Sequence, residues 1–211
     1  MSRRRPGPVK VKICGLTRLQ DVQVAVAAGA DALGFVFTPR SRRALQPDTA
    51  LALVREVPAF VARVGLFMDQ GETEVRRILE RVPLSLLQFH GQEEAAYCRS
   101  FGLPYIKAVA MGSAPSLALA EQTYADACGL LLDSHSEGQA GGTGQAFDWA
   151  EIPALGLPLI LAGGLTPANV RQAVRRVRPW AVDVSSGVED APGVKNADSI
   201  QTFISEAKSE Y

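Results

Sequence analysis

VKICGLTR, residues 11–18, is a short apolar run that ends in a thiol, a glycine and a Thr-Arg pair. Residues 11–14 read as a strand, because a nearly continuous apolar run closed by a turn residue suits a strand covered on both faces. A core cysteine would sit deeper than the last strand position, so the placement of Cys14 needs the rest of the chain to explain it. The turn itself narrows the fold. An open doubly wound sheet, the alternative architecture, favours a Gly-x-Gly-x-x-Gly first turn, and CGLTR carries one glycine.

Runs of the same kind recur at 32–37, 62–68, 85–89, 105–110, 129–133, 158–162 and 181–185. Helical patterns lie between them. Leu19, Val22 and Val26 fall at helical spacing with Gly29 as the C-terminal cap. Val75, Ile78, Leu79 and Val82 form one face of another helix. Thr166 is a candidate N-cap with Pro167 in the first helical position, and 198–208 closes the chain as a helix. The sixth helix, within FDWAEIPALG at 147–156, is interrupted by Pro153 and is expected to be a stub. From Val11 to Ala181 the seven repeats average about 24 residues. Eight such units predict an α/β fold, a single (β/α)8 TIM barrel with short loops over residues 9–211. Residues 1–8 are expected to be a disordered basic leader, since no apolar segment follows MSRRRPGP.

The chain has 211 residues, 47% of them hydrophobic, and equal numbers of acidic and basic side chains. A neutral balance gives no reason to expect nucleic acid. No apolar run reaches the ~20 residues of a membrane span. Three cysteines, Cys14, Cys98 and Cys128, leave at least one free thiol, and a cytoplasmic setting is the simplest expectation.

In a barrel of this kind chemistry sits at the C-terminal ends of the strands. Cys14 ends the first strand and Asp133 the sixth, so both are expected at one mouth. Each also has a plain reading: a small core hydrophobe for Cys14, a cap or turn residue for Asp133. Strand alternation puts Val11 and Ile13 towards the helices and Lys12 and Cys14 towards the axis. The same reasoning is expected to turn Lys107, Asp133 and Asp183 inward. Lys12 and Asp183, each two residues before a strand end on neighbouring strands, should then form an ion pair beneath Cys14. Gln88 and His90, in QFHG, are expected to line the mouth; a hydrogen-bonded structural histidine is the alternative.

Glycine-bearing loops follow the sixth, seventh and eighth strands. Gly142, Thr143 and Gly144, then Gly163 and Gly164, then Ser186 and Gly187 offer backbone N–H groups to an anion, so the partner expected is a small phosphorylated molecule. Arg40, Arg42 and Arg43 follow the second strand, either as solvated charge or as a guanidinium clamp on a carboxylate.

KICGLTR, ADALGFVFTPRSRR, LLQFHG, LLLDS with GGTGQAFDW, LILAGGLTPANV and VRPWAVDVSSGVE together resemble the phosphoribosylanthranilate isomerase family of tryptophan biosynthesis, from about Val9 to the final helix. Phe89 stands where that family more usually has leucine. The resemblance implies a barrel with no cofactor and no metal. It implies an Amadori rearrangement of N-(5-phosphoribosyl)anthranilate, with Cys14 as general base, Asp133 as general acid and Arg43 on the anthranilate carboxylate. A monomer or homodimer is consistent with it. Two other readings compete: another ribulose-phosphate epimerase or lyase, which would offer metal ligands or a catalytic lysine, and a non-catalytic sugar-phosphate-binding barrel.

Overall fold

The computed structural model describes residues 7–110, 117–133, 152 and 155–209. Eight parallel strands close into a barrel in sequence order. They are β1 (Lys10–Cys14), β2 (Ala32–Val36), β3 (Ala62–Phe67), β4 (Leu86–Phe89), β5 (Tyr105–Ala110), β6 (Leu130–Asp133), β7 (Leu159–Leu161) and β8 (Ala181–Val184). Each falls within the apolar run expected for it, give or take one residue. Helices alternate with them: α1 (Leu19–Ala27), α2 (Pro47–Arg55), α3 (Glu72–Arg81), α4 (Ala95–Arg99), α5 (Leu117–Thr123), α6 (Val170–Val177) and α7 (Ala197–Lys208). The stub expected in FDWAEIPALG lies almost entirely outside the described residues.

Local chemistry sets the helix ends. Gly29 has φ +90°, a conformation that glycine adopts without strain. There its N–H donates to Val26 O while Ala30 N–H donates to Ala25 O, the paired bonds of a left-handed helix stop. α6 begins three residues later than Pro167 suggests. Asn169 intervenes: its Oδ1 accepts from Thr166 N–H and its Nδ2 donates to Gly164 O, so the side chain ties a turn that precedes the helix. α7 is capped as expected of an Asn, with Asn196 Oδ1 accepting from Ser199 N–H.

The barrel has two apolar layers. Leu86, Ile106, Ala108, Leu131, Ile160, Ala162 and Ala181 form a small cluster on the axis, while the larger cluster lies between strands and helices. Phe89 belongs to the larger one, with its ring 5.8 Å from those of Tyr97 and Phe101. It therefore faces away from the axis.

Register corrects one expectation. Lys107 pairs with Phe89 on β4 and Leu130 on β6, so it shares their helix-facing side. Its ammonium donates to Gly91 O at 2.6 Å and Ala108 O at 3.1 Å, lies 3.5 Å from Glu93 and sits over the Tyr124 ring. Ile106 and Ala108 take the axis instead. A long lysine can be buried between layers when its tip reaches strand-end carbonyls, and this one does.

After β8 the chain makes a 3₁₀ turn, Ser186–Val188, and then a two-stranded hairpin, β9 (Glu189–Ala191) and β10 (Val194–Lys195). This hairpin returns to the mouth of the barrel. Thr17 Oγ1 donates to Gly193 O, Arg18 donates to Lys195 O, and Lys195 N–H donates to Asp21, so the β1–α1 segment is stitched to it. Among the described residues, no helix is long and apolar enough to cross a membrane.

Candidate active site

Cys14 ends β1 with 4% of its surface exposed. Its register partner on β2 is Gly34. A Cβ at Gly34 would stand 2.7 Å from the Cys14 sulfur, so the neighbouring strand leaves out a side chain where the thiol needs room. Two residues earlier, Lys12 points the same way. Its ammonium donates to Asp183 Oδ1 at 2.8 Å, and both side chains are buried. The expected pair under Cys14 is therefore present. Burial pushes the Cys14 thiol up; the charge of Lys12 pulls against this and Asp183 adds to it, leaving the thiol above its ordinary range. Lys12 is itself held above its ordinary range: burial opposes its charge, but Asp183 and Cys14 outweigh that.

Close to the thiol, against Gly15, sits Arg43. Its Nε and Nη2 donate to the two carboxylate oxygens of Glu189, at 2.8 and 2.5 Å. That uses one edge of the guanidinium fork and leaves the Nη1 edge with no bond to another described residue. Glu189 also accepts from Lys195 Nζ at 2.8 Å, and Lys195 donates further to Ser185 O. Burial alone would raise the Glu189 carboxyl, yet Arg43 and Lys195 together hold it below the usual carboxylate range. Gly15, at φ +74°, makes the close approach possible: a Cβ there would lie 2.4 Å from Arg43 Cδ.

Asp133 ends β6, three strands round the closed barrel from Cys14. His90, just past β4, brings Nε2 to 3.4 Å from Asp133 Oδ2. Gln88 lies below it, fully buried, with Nε2 3.1 Å from His90 Nδ1.

The loops after β7 and β8 carry further glycines. Gly163 and Gly164 have φ of +79° and +64°. Among the described residues, the N–H groups of Gly163, Gly164, Ser186 and Gly187 find no acceptor. Gly187 is required for another reason: a Cβ would collide with Leu165 O at 1.9 Å, so the two loops could not touch. Gly142, Thr143 and Gly144 lie outside the described residues. No group of His, Cys, Asp or Glu among the described residues is placed to hold a metal ion.

Sequence reading missed Glu189, Lys195 and Gly34. Glu189 stood inside the quoted DVSSGVE without a role, because its partner Arg43 is 146 residues away. APGVK, residues 191–195, carries the Pro-Gly turn signal of a hairpin and was the available clue to Lys195.

A family model described as N-(5′-phosphoribosyl)anthranilate isomerase matches residues 11–206. The isomerase of that name from Thiobacillus denitrificans is 56% identical over 201 residues, covering 95% of this chain and 98% of that one. The crystal structure of the Thermotoga maritima enzyme has a TM-score of 0.85 at 41% identity, covering 95% of this chain and 99% of that one. A second isomerase structure, solved with reduced 1-(o-carboxyphenylamino)-1-deoxyribulose 5-phosphate, has a TM-score of 0.81 at 40% identity, with the same coverage. A thiol and a carboxyl at two strand ends, glycine loops after β7 and β8 and likeness along nearly the whole length lead to one conclusion: the chain belongs to the N-(5′-phosphoribosyl)anthranilate isomerase family.

Proposed function

We propose that this chain converts N-(5-phosphoribosyl)anthranilate to 1-(2-carboxyphenylamino)-1-deoxyribulose 5-phosphate in tryptophan biosynthesis, with Asp133 as general acid and Cys14 as general base. The observation that carries the reading is the pair of ionisable groups on separate strand ends of one barrel mouth, each with its own charged or polar support. Asp133 gives a proton to the furanose ring oxygen. The bond from that oxygen to C1′ breaks and the anilino nitrogen forms a Schiff base with C1′. Cys14, as thiolate, takes the proton from C2′, and the electron pair moves through C1′ to neutralise the nitrogen. The resulting enolamine gains a proton at C1′ and loses one from the C2′ hydroxyl, giving the ketone.

The surroundings suit these roles. Lys12 opposes the effect of burial on Cys14, which still leaves the thiol above its ordinary range, so the thiolate depends on that lysine. The second edge of Arg43 suits the anthranilate carboxylate, while Glu189 holds the first. The amides of Gly163, Gly164, Ser186 and Gly187, joined by Gly142, Thr143 and Gly144, are the phosphate cradle in this reading. A catalytic-lysine lyase is disfavoured, since Lys12 is locked on Asp183 and Lys107 faces the helices.

The test is to add purified protein to freshly made phosphoribosylanthranilate and follow the loss of anthranilate fluorescence. Cys14→Ala and Asp133→Asn should each lower kcat by roughly 10²–10⁴, the usual range for acid–base groups. Affinity for a product analogue should change little. Near-native kcat in either variant would remove that residue from its role.

A further inference from the structure

We propose that Gln88 and His90 form a positioning relay for Asp133, in which the buried amide of Gln88 fixes the imidazole proton on Nε2, aimed at the carboxylate. Its kinetic consequence rests on the reading of Asp133 as the acid; its structural half does not.

Gln88 is the anomaly that prompts this. It faces the axis on β4, in register with Leu66 and Ile106, and has no exposed surface. A leucine would fill that position without the cost of burying a primary amide. Gln88 Oε1 finds no partner among the described residues, so nothing on that side offsets the cost. The bond that does is on the other atom, where Nε2 meets His90 Nδ1 at 3.1 Å.

The direction of that bond decides the tautomer. When the amide donates, Nδ1 must carry the lone pair and Nε2 the proton. Nε2 itself lies 3.4 Å from Asp133 Oδ2. The reversed amide would accept a proton from Nδ1 instead. It would bury two unpaired N–H groups in place of one unpaired N–H and one unpaired oxygen, the oxygen being the easier group to leave unpaired, and it would turn the Nε2 lone pair towards a carboxylate. Both changes are unfavourable, so side-chain chemistry selects the same orientation as the geometry. The backbone of His90 is pinned as well, its N–H donating to Phe67 O at 2.9 Å.

His90 approaches Oδ2 and so limits the rotation of the Asp133 carboxylate about its own axis. The imidazole proton stays on Nε2 throughout, so His90 transfers nothing. When Asp133 has given up its proton, the same N–H steadies the carboxylate that remains. His90 and Gln88 are positioning residues, acting through Asp133.

The chain has two histidines, His90 and His135, which makes the test direct. Long-range ¹H–¹⁵N correlation on histidine-labelled protein at about pH 8, above the ordinary histidine pKa of ~6.5, reads the tautomer; a His90→Asn sample assigns the signals. The wild type should show His90 protonated on Nε2 alone. Gln88→Glu, which offers only acceptors, should place a proton on Nδ1. The same variant should lose at least about tenfold in kcat while KM moves much less, as for a displaced proton-transfer group. His90→Gln, whose amide can stand in for Nε2–H, should retain more kcat than His90→Ala.

Nδ1 protonation in the wild type would overturn the relay whatever the enzyme's activity. Correct tautomers with unchanged kcat in Gln88→Glu, or equal kcat in the Gln and Ala variants of His90, would overturn the positioning role. Absence of isomerase activity in the wild type would instead strike the function proposed above, and the spectrum would still decide the tautomer.

Discussion

Replacing Lys12 by methionine removes one charge from a pair that water barely reaches. The ammonium lies 2.8 Å from Asp183, with side-chain exposures of 5% and 10%. At an effective dielectric constant of about 20, two charges at that separation attract by roughly 6 kcal/mol before desolvation is counted. The measured cost of breaking such a pair from one side is about 3–5 kcal/mol, because the partner charge is left buried alone. A typical domain has about 5–15 kcal/mol in total, so Lys12→Met should unfold at a much lower urea concentration. Lys208 is the comparison. It is not free, since it donates to Gly29 O and pairs with Asp31, but that pair is partly exposed and should contribute at most about 1 kcal/mol. Lys12→Met combined with Asp183→Leu should recover much of the loss, because no stranded charge remains. The variant should also alter Cys14. Lys12 pulls the thiol pKa down against burial, so removing it must move the pKa further up. In a background lacking Cys98 and Cys128, the pH midpoint for iodoacetamide alkylation should already exceed the ~8.5 of a free thiol, and Lys12→Met should raise it again. A loss below about 1 kcal/mol would refute the buried-pair argument. An unmoved alkylation midpoint would refute the coupling of Lys12 to the thiol.

Gly34→Ala places a methyl 2.7 Å from the Cys14 sulfur and 3.0 Å from its Cα, so the thiol must move; kcat should fall by up to about 10²-fold in a folded protein, and a native kcat would show that the thiol tolerates displacement. Gly164→Val forces a β-branched residue to φ +64° and blocks approach to the amides; KM should rise sharply and competitive inhibition by inorganic phosphate should weaken, whereas an unchanged KM would place the phosphate elsewhere. Glu189 has a folded pKa held below its unfolded value of about 4.3, so the stability it adds is complete above that value and is lost as pH falls through the folded pKa. Glu189→Gln should thus melt earlier than wild type at pH 7, with the gap narrowing as pH falls below about 4.3; a gap independent of pH would contradict the sign of the shift.

What was legible in the sequence follows from how barrels bury strands. Continuous apolar runs located all eight strands, because strands covered on both faces carry few polar residues. The same property hid the direction of β5. In YIKAVA, Tyr105, Lys107 and Val109 alternate with Ile106, Ala108 and Ala110, and either set suits an apolar layer. Pairing with Phe89 and Leu130 settles the question, and a single strand does not contain that information. On β1 the reasoning succeeded because Val11 and Ile13 leave Lys12 and Cys14 as the polar alternative. Site residues divide in the same way. Cys14 and Asp133 stand at strand ends and can be found by position. Glu189 and Lys195 depend on contacts across more than a hundred residues and on a hairpin outside the βα repeat.

Those contacts explain why a thiol can stand at the end of β1. Cys14 needs space, a nearby positive charge and a fixed backbone, and three separate segments supply them. Gly34 on β2 yields the space. Lys12 supplies the charge from within the same strand, and Asp183 on β8 keeps that lysine from turning away. The β9–β10 hairpin ties down the turn that follows, through Thr17, Arg18 and Asp21. Each support is polar or lacks a side chain, so each weakens the apolar core that a plain barrel would have at this end. Residues that lower stability without improving packing are retained where a site requires them. The other strands show the contrast: on the axis Ile106, Leu131, Ile160 and Ala181 pack together with no charge among them.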